Sequence, residues 1–156
     1  AYTSICFEEF MEIAVRRATS EDKDEWFRMR KGIWPETPDH YLNYDLDEIL
    51  ASERDSVFIS FVDGVPAGMI EASLREFGEG CSSSPVGYIE GWFVYPSFRG
   101  QGVSAALVEA AENWARENRC VEMASDTWLD NGASIHAHGK LGYQEVERLV
   151  HFVKHL

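Results

Sequence analysis

Two stretches of the chain hold the residues best able to do chemistry. Phe93-Val94-Tyr95-Pro96-Ser97-Phe98-Arg99-Gly100-Gln101-Gly102-Val103-Ser104 runs from a strand-like segment through a Pro turn and a Gly-rich loop into an amphipathic helix. Gly100 and Gly102 let consecutive backbone N–H groups crowd toward one point, and the helix start at Val103 adds its positive dipole end. That arrangement binds an anion, most naturally a pyrophosphate. No Gly-Lys-Ser/Thr follows, so this is not a Walker loop, and the Gly-x-Gly-x-x-Gly dinucleotide spacing is absent too. Two glycines taken alone would also suit a plain turn before a helix. The second stretch is Glu122-Met123-Ala124-Ser125-Asp126-Thr127, where Asp126 stands among mostly apolar neighbours. Burying a carboxylate there without a partner is costly, so it is expected to hold something; an acid at a surface strand end is the alternative.

The elements that must position these residues can be read from periodicity. Ile13 to Ala18 reads as a strand, and Thr19-Ser20-Glu21-Asp22 has the form of a capping box before a helix to about Lys31, ended by Gly32 and Pro35. Tyr41, Leu42, Asp45, Ile49 and Leu50 recur at helical intervals in one second helix. Asp63-Gly64 between two strand-like runs, Ser56 to Val62 and Pro66 to Leu74, signals a hairpin. Residues 76–85 read as a loop, Tyr88 to Val94 as a strand, Val103 to Asn118 as a long helix and Glu122 to Thr127 as a strand. Asn131 to Leu141 reads as a short helix with Gly142 at its C-terminal cap, and Glu145 to Lys154 as one or two closing strands. The order β-α-α-β-β-β-α-β-α-β predicts a single α/β domain over residues 11–156. Residues 1–10 read as an upstream extension with neither a basic segment nor an apolar core of a signal peptide.

Composition excludes several classes of function. A chain of 156 residues, 45% hydrophobic and 26% charged, is sized for one folded core. Its apolar runs fall short of the roughly 18 residues of a membrane span. With 27 acidic against 14 basic residues the net charge is −13, which argues against a nucleic-acid backbone binder and suits a cationic ligand. An acidic surface also simply keeps a protein in solution. Cys6, Cys81 and Cys120 are odd in number and widely spaced, which fits neither a disulfide framework nor a zinc site and implies a reducing cytoplasm. His40, His136, His151 and His155 make no plausible metal set.

The glycine loop resembles the acyl-CoA-binding signature of the GCN5-related N-acetyltransferases (GNAT), Gln/Arg-x-x-Gly-x-Gly/Ala, with Arg99, Gly102 and Ser104 in the key places. Ser104 replaces the usual Gly or Ala, one small residue for another. Asn131 followed by Lys140-Leu141-Gly142-Tyr143 resembles the second marker of that family. Trp34-Pro35, Glu90-Gly91, the segment Phe93 to Arg99 and the segment Glu122 to Thr127 are similar to bacterial aminoglycoside 6′-N-acetyltransferases. The likeness runs from Met11 to Leu156.

This resemblance implies a GNAT-type mixed sheet with splayed central strands and flanking helices. It implies acetyl-CoA as co-substrate and no metal. Cofactor contacts would come from the backbone of Trp92, Phe93 and Val94, from Arg99, Gly100, Gln101, Gly102, Val103 and Ser104, and from Asn131. A substrate amine would attack the thioester directly, held by Glu90 and Asp126, with Asp126 where related enzymes carry their base. Trp34 and Phe77 would border the sugar (Phe77 stands where relatives carry a Tyr), and Glu147 would add a carboxylate. His138 occupies the place of the family's Tyr general acid; it suits proton donation or plain helix packing equally. The resemblance also implies a homodimer, a cationic aminoglycoside substrate and antibiotic resistance. The alternatives are acetylation of a polyamine or protein α-amine, or a non-catalytic acyl-CoA sensor, because fold alone fixes no substrate.

Overall fold

The computed structural model describes residues 11–156. The reading of residues 1–10 as an extension, and Cys6 with it, lies outside the described residues. The chain runs β1 (Ile13–Arg17), a 3-10 turn (Ser20–Asp22), α1 (Lys23–Ile33), α2 (Asp39–Asn43), α3 (Leu46–Ala51), β2 (Asp55–Val62) and β3 (Val65–Arg75). Next come β4 (Val86–Val94), a 3-10 turn (Pro96–Phe98), α4 (Val103–Glu117), β5 (Met123–Ser125) and α5 (Gly132–Lys140). The strands form one sheet in the order β1-β2-β3-β4-β5, antiparallel except for the parallel β4–β5 pair.

Local chemistry explains most boundaries. The Thr19 hydroxyl accepts from Glu21 N–H and the Asp22 carboxylate accepts from Thr19 N–H, closing the capping box at the entry to α1. Asp63 and Gly64 both take positive φ (49° and 81°), the primed turn that a two-residue hairpin needs. Two helix readings are corrected. Gly32 does not end α1; it lies within the helix, where a Cβ would come 2.4 Å from the Phe93 ring. The helix instead stops at Trp34, ahead of Pro35, because the residue before a proline is pushed out of the helical region. The single helix expected around residues 41–50 is two short ones, α2 and α3, broken at Tyr44 and Asp45.

Two apolar layers sandwich the sheet. Leu107, Val108, Ala111 and Trp114 of α4 pack on Ile70, Ala72, Ile89 and Val94. On the other face Trp26, Met29 and Leu46 pack on Val57, Ile59 and Met69. Arg30 crosses that second layer almost fully buried, forking onto Glu71 at 2.6 and 3.0 Å and reaching Asp45 at 2.6 Å. Trp26 Nε1–H donates to the same Glu71 carboxylate at 2.5 Å, so the buried charges are matched and their lone pairs used.

Two features shape the site. In the β3–β4 ladder Glu71 faces Gly91 and Ala72 faces Ile89, leaving Glu90 as the extra residue of a β-bulge. Moreover β4 and β5 pair only from Gly87 to Ile89 against Met123 to Ser125. Beyond Ile89, no strand among the described residues lies along the β5 side of β4. The expected strand over Glu145 to Lys154 is not formed: residues 143–156 have no regular structure and are exposed from Gln144 onward. A strand needs an edge to pair with, and three-residue β5 offers little of one within the same chain.

Candidate active site

The bulge aims Glu90 onto the sheet face that carries α1, and three donors meet its carboxylate there. Arg75 forks onto it (Nε 2.8 Å to Oε1, Nη2 2.6 Å to Oε2), and Ser73 Oγ–H donates at 2.5 Å. The Arg75 guanidinium lies 3.4 Å over the Tyr88 ring, and Tyr88 O–H donates to Asp126 Oδ1 at 2.9 Å. Glu90 lies on β4 as expected, but β5 ends at Ser125, so Asp126 stands exposed just past the strand, and the two acids are linked through Arg75 and Tyr88. Burial, then the hydrogen bond to Asp126, pushes the Tyr88 hydroxyl far above its ordinary value, so it stays a donor. The bonds that Arg75 donates to Glu90 hold its guanidinium charged. Trp34 is half-buried beside this pair: a Cβ at Gly91 would stand 2.9 Å from its ring, so it rests on the β4 backbone next to Glu90.

Two expected residues are not fixed beside the pair. Phe77 is 67% exposed on the loop after β3. Glu147 is exposed on the segment after α5, although its neighbour Val146 rests on Gly80 of that same loop.

Behind the pair, where β4 and β5 part, His138 of α5 lies edge-on to Trp92 with ring centres 5.3 Å apart. Its Nδ1 donates to the Ser134 carbonyl at 2.8 Å, which leaves Nε2 to accept from Ser125 Oγ–H at 2.9 Å. Its neutral tautomer is therefore set by α5 itself. Asn131 caps α5 by accepting from Ser134 N–H at 3.1 Å, so its side-chain oxygen is committed to the helix.

At the far end of the unpaired β4 edge, Arg99 donates to the Val94 carbonyl at 3.1 Å and ties the loop to the strand. Gly100 and Gly102 have φ of 75° and 90°, which a residue with a Cβ adopts only under strain. Val103 is buried, which anchors the start of α4 beneath the loop. Gly102→Val is therefore expected to raise the dissociation constant for acetyl-CoA sharply in calorimetry; an unchanged constant would sink the role of the loop.

Arg75, Tyr88, Ser73 and Ser125 escaped the sequence reading. Strand alternation places Ser73 and Arg75 on one face of β3, but only the bulged register brings them to Glu90.

A sheet whose two parallel strands part, with a glycine loop opening a helix at one end of the gap, is the architecture of an acyl-CoA-dependent N-acyltransferase. The chain belongs to the acetyltransferase (GNAT) family, whose profile matches residues 21–143. It is 40% identical to an aminoglycoside N(6′)-acetyltransferase type 1 of Salmonella typhimurium over 90% of this chain and 97% of that one. A Klebsiella aerogenes protein of the same name is also 40% identical, over 91% and 96%. Among solved structures, an aminoglycoside 6′-acetyltransferase, AAC(6′)-Iy, in complex with a bisubstrate analogue, CoA-S-monomethyl-acetylneamine, is 38% identical. It superposes with a TM-score of 0.87 over 93% of this chain and 99% of that one. The same enzyme in complex with CoA gives a TM-score of 0.89 over 96% and 99%.

Proposed function

We propose that the protein transfers the acetyl group of acetyl-CoA to the 6′-amine of aminoglycosides and so inactivates them. The observation that supports this reading is the chain Glu90–Arg75–Tyr88–Asp126, which links two carboxylates where β4 and β5 part, together with relatives named for that reaction. The unpaired β4 edge at Trp92, Phe93 and Val94 would hold acetyl-CoA by its backbone groups. Backbone N–H groups from Arg99 to Ser104 take its pyrophosphate, and Asn131 stands nearby. The thioester supplies an activated acetyl group, and this chain supplies the rest. Glu90 and Asp126 hold the substrate ammonium by charge-assisted hydrogen bonds, and Asp126 takes its proton, because only a neutral amine attacks. Trp34 and Phe77 flank the sugar and Glu147 adds a carboxylate. The enzyme works in the cytoplasm, where acetyl-CoA is made; Cys81 and Cys120 are free thiols.

The test is free thiol release on mixing the protein with acetyl-CoA and kanamycin. Turnover with spermidine or peptides alone would favour a different amine substrate, and tight acetyl-CoA binding without turnover would favour a sensor.

The protein is expected to be a homodimer closed by its C-terminal segments. Val146, Leu149, Val150, Phe152 and Val153 are all exposed, and no backbone group from Gln144 onward bonds to another described element. Thirteen such residues are suited to adding a strand to a second copy. Light scattering at micromolar concentration should give twice the chain mass, and the mass of one chain would refute the dimer.

A further inference from the structure

The proposed reaction needs Glu90 for a substrate cation, yet the chain already brings a cation of its own to that carboxylate. Arg75 engages both Glu90 oxygens, at 2.8 and 2.6 Å. A guanidinium fork on a carboxylate is the strong form of ion pair, and an ammonium cannot approach the same oxygens without meeting a like charge.

A comparison within the molecule separates this pair from a structural one. The Arg30 side chain is 6% exposed and has three kinds of acceptor around it: Glu71, Asp45 and the Leu42 carbonyl. It is fixed in place. The Arg75 side chain is 41% exposed, and its one carboxylate partner, Glu90, is 32% exposed. Leaving costs Arg75 the fork and its place 3.4 Å over the Tyr88 ring, and because the side chain is part-exposed, water can receive it. Glu90 does not depend on Arg75 for its aim, because the bulge directs it and Ser73 Oγ–H still holds Oε1. When Arg75 moves off, an oriented carboxylate remains on the substrate face.

We propose that Arg75 is a built-in competing counter-ion, which sets the affinity threshold of the site and which a substrate ammonium must displace from Glu90 in order to bind there. This rests on the reading of Glu90 as an ammonium ligand. A tethered cation competes at an effective concentration in the millimolar range, so amines that bind weakly are shut out. The displacement divides the affinity of every amine by one common factor, the fraction of time Glu90 is open. Polycationic substrates tolerate that factor because they start from higher affinity in an acidic protein; a lone amine does not.

The common factor makes the inference testable. Thiol-release kinetics would be measured for Arg75→Gln and Arg75→Lys with kanamycin and with 6-amino-6-deoxyglucose, a sugar with one amine, at low and high salt. For Arg75→Gln the KM of both amines is expected to fall by the same factor, about tenfold, or about 1.4 kcal/mol. For Arg75→Lys a smaller common fall of about threefold is expected, because an ammonium keeps the charge but loses the fork. The lysine variant also guards against a folding defect in the glutamine one.

Had Arg75 acted only through its charge, the polycation would gain far more than the single amine, the gain would vanish in high salt, and Arg75→Lys would match the parent. A KM unchanged or raised in Arg75→Gln would mean that Arg75 merely positions Glu90. Either result overturns the inference while the parent's turnover leaves the function standing. No thiol release from the parent with either amine overturns both together.

Discussion

Asp126→Asn is expected to lower kcat by about 10²-fold or more, the usual scale for a positioned acid or base. The substitution is unusually clean here. An Asn oxygen at the same place still accepts the Tyr88 hydroxyl, now at 2.9 Å from Asp126, so the loop after β5 keeps its anchor. What disappears is the negative charge and the ability to take a proton. The expected signature is therefore a large fall in thiol release at saturating substrate with an unchanged melting temperature. Tyr88→Phe serves as the control: it removes the hydroxyl and leaves the carboxylate, so its loss should be much smaller. Near-normal turnover of Asp126→Asn at neutral pH would mean that the amine loses its proton elsewhere.

Neomycin, with a 6′-amine, is expected to be acetylated, and paromomycin, with a 6′-hydroxyl, to be nearly inert, with kcat/KM lower by at least about 10²-fold. A hydroxyl is the weaker nucleophile and brings no positive charge to Glu90 and Asp126. A site arranged around an ammonium discriminates against a hydroxyl, which forms no charge-assisted bond to its carboxylates and so carries a penalty in binding. Here that penalty has an internal form: a hydroxyl cannot replace the fork that Arg75 makes on Glu90. Paromomycin should still bind through its other amines and act as an inhibitor. Turnover within a few-fold of neomycin, with the acetyl group on a ring amine by mass spectrometry, would reject the 6′ assignment and leave an acetyltransferase.

Local chemistry made much of this architecture readable before the fold was known. The capping box at Thr19, the Asp63-Gly64 turn and the loop from Arg99 to Gly102 each act within a few residues, so their spacing alone carries the information. Asp126 was legible as an acid out of place and Glu90 through the family resemblance, but not their connection. Arg75 and Glu90 are fifteen residues apart and Tyr88 and Asp126 thirty-eight, and they meet only through strand register and a bulge. Gly32 misled for a similar reason: a glycine near a helix end suggests a stop, whereas this one makes room for Phe93 on another strand. The alternation in Glu145 to Lys154 is a strand pattern without an edge in the described chain, which periodicity alone cannot reveal.

The bulge on β4 separates the demands of folding from those of chemistry. Because Glu71 faces Gly91 and Ala72 faces Ile89, excising Glu90 alone would leave a ladder with unbroken alternation on both sides. Such a one-codon deletion should give a scaffold with a melting temperature at or above the parent's, and no ability to acetylate aminoglycosides; a collapse in melting temperature would show that the ladder needs the residue. Folding thus sets no toll on losing Glu90, and only the benefit of the reaction keeps it in the gene. In a lineage no longer exposed to such substrates, this residue is among the first expected to decay, leaving behind well-folded chains that are silent.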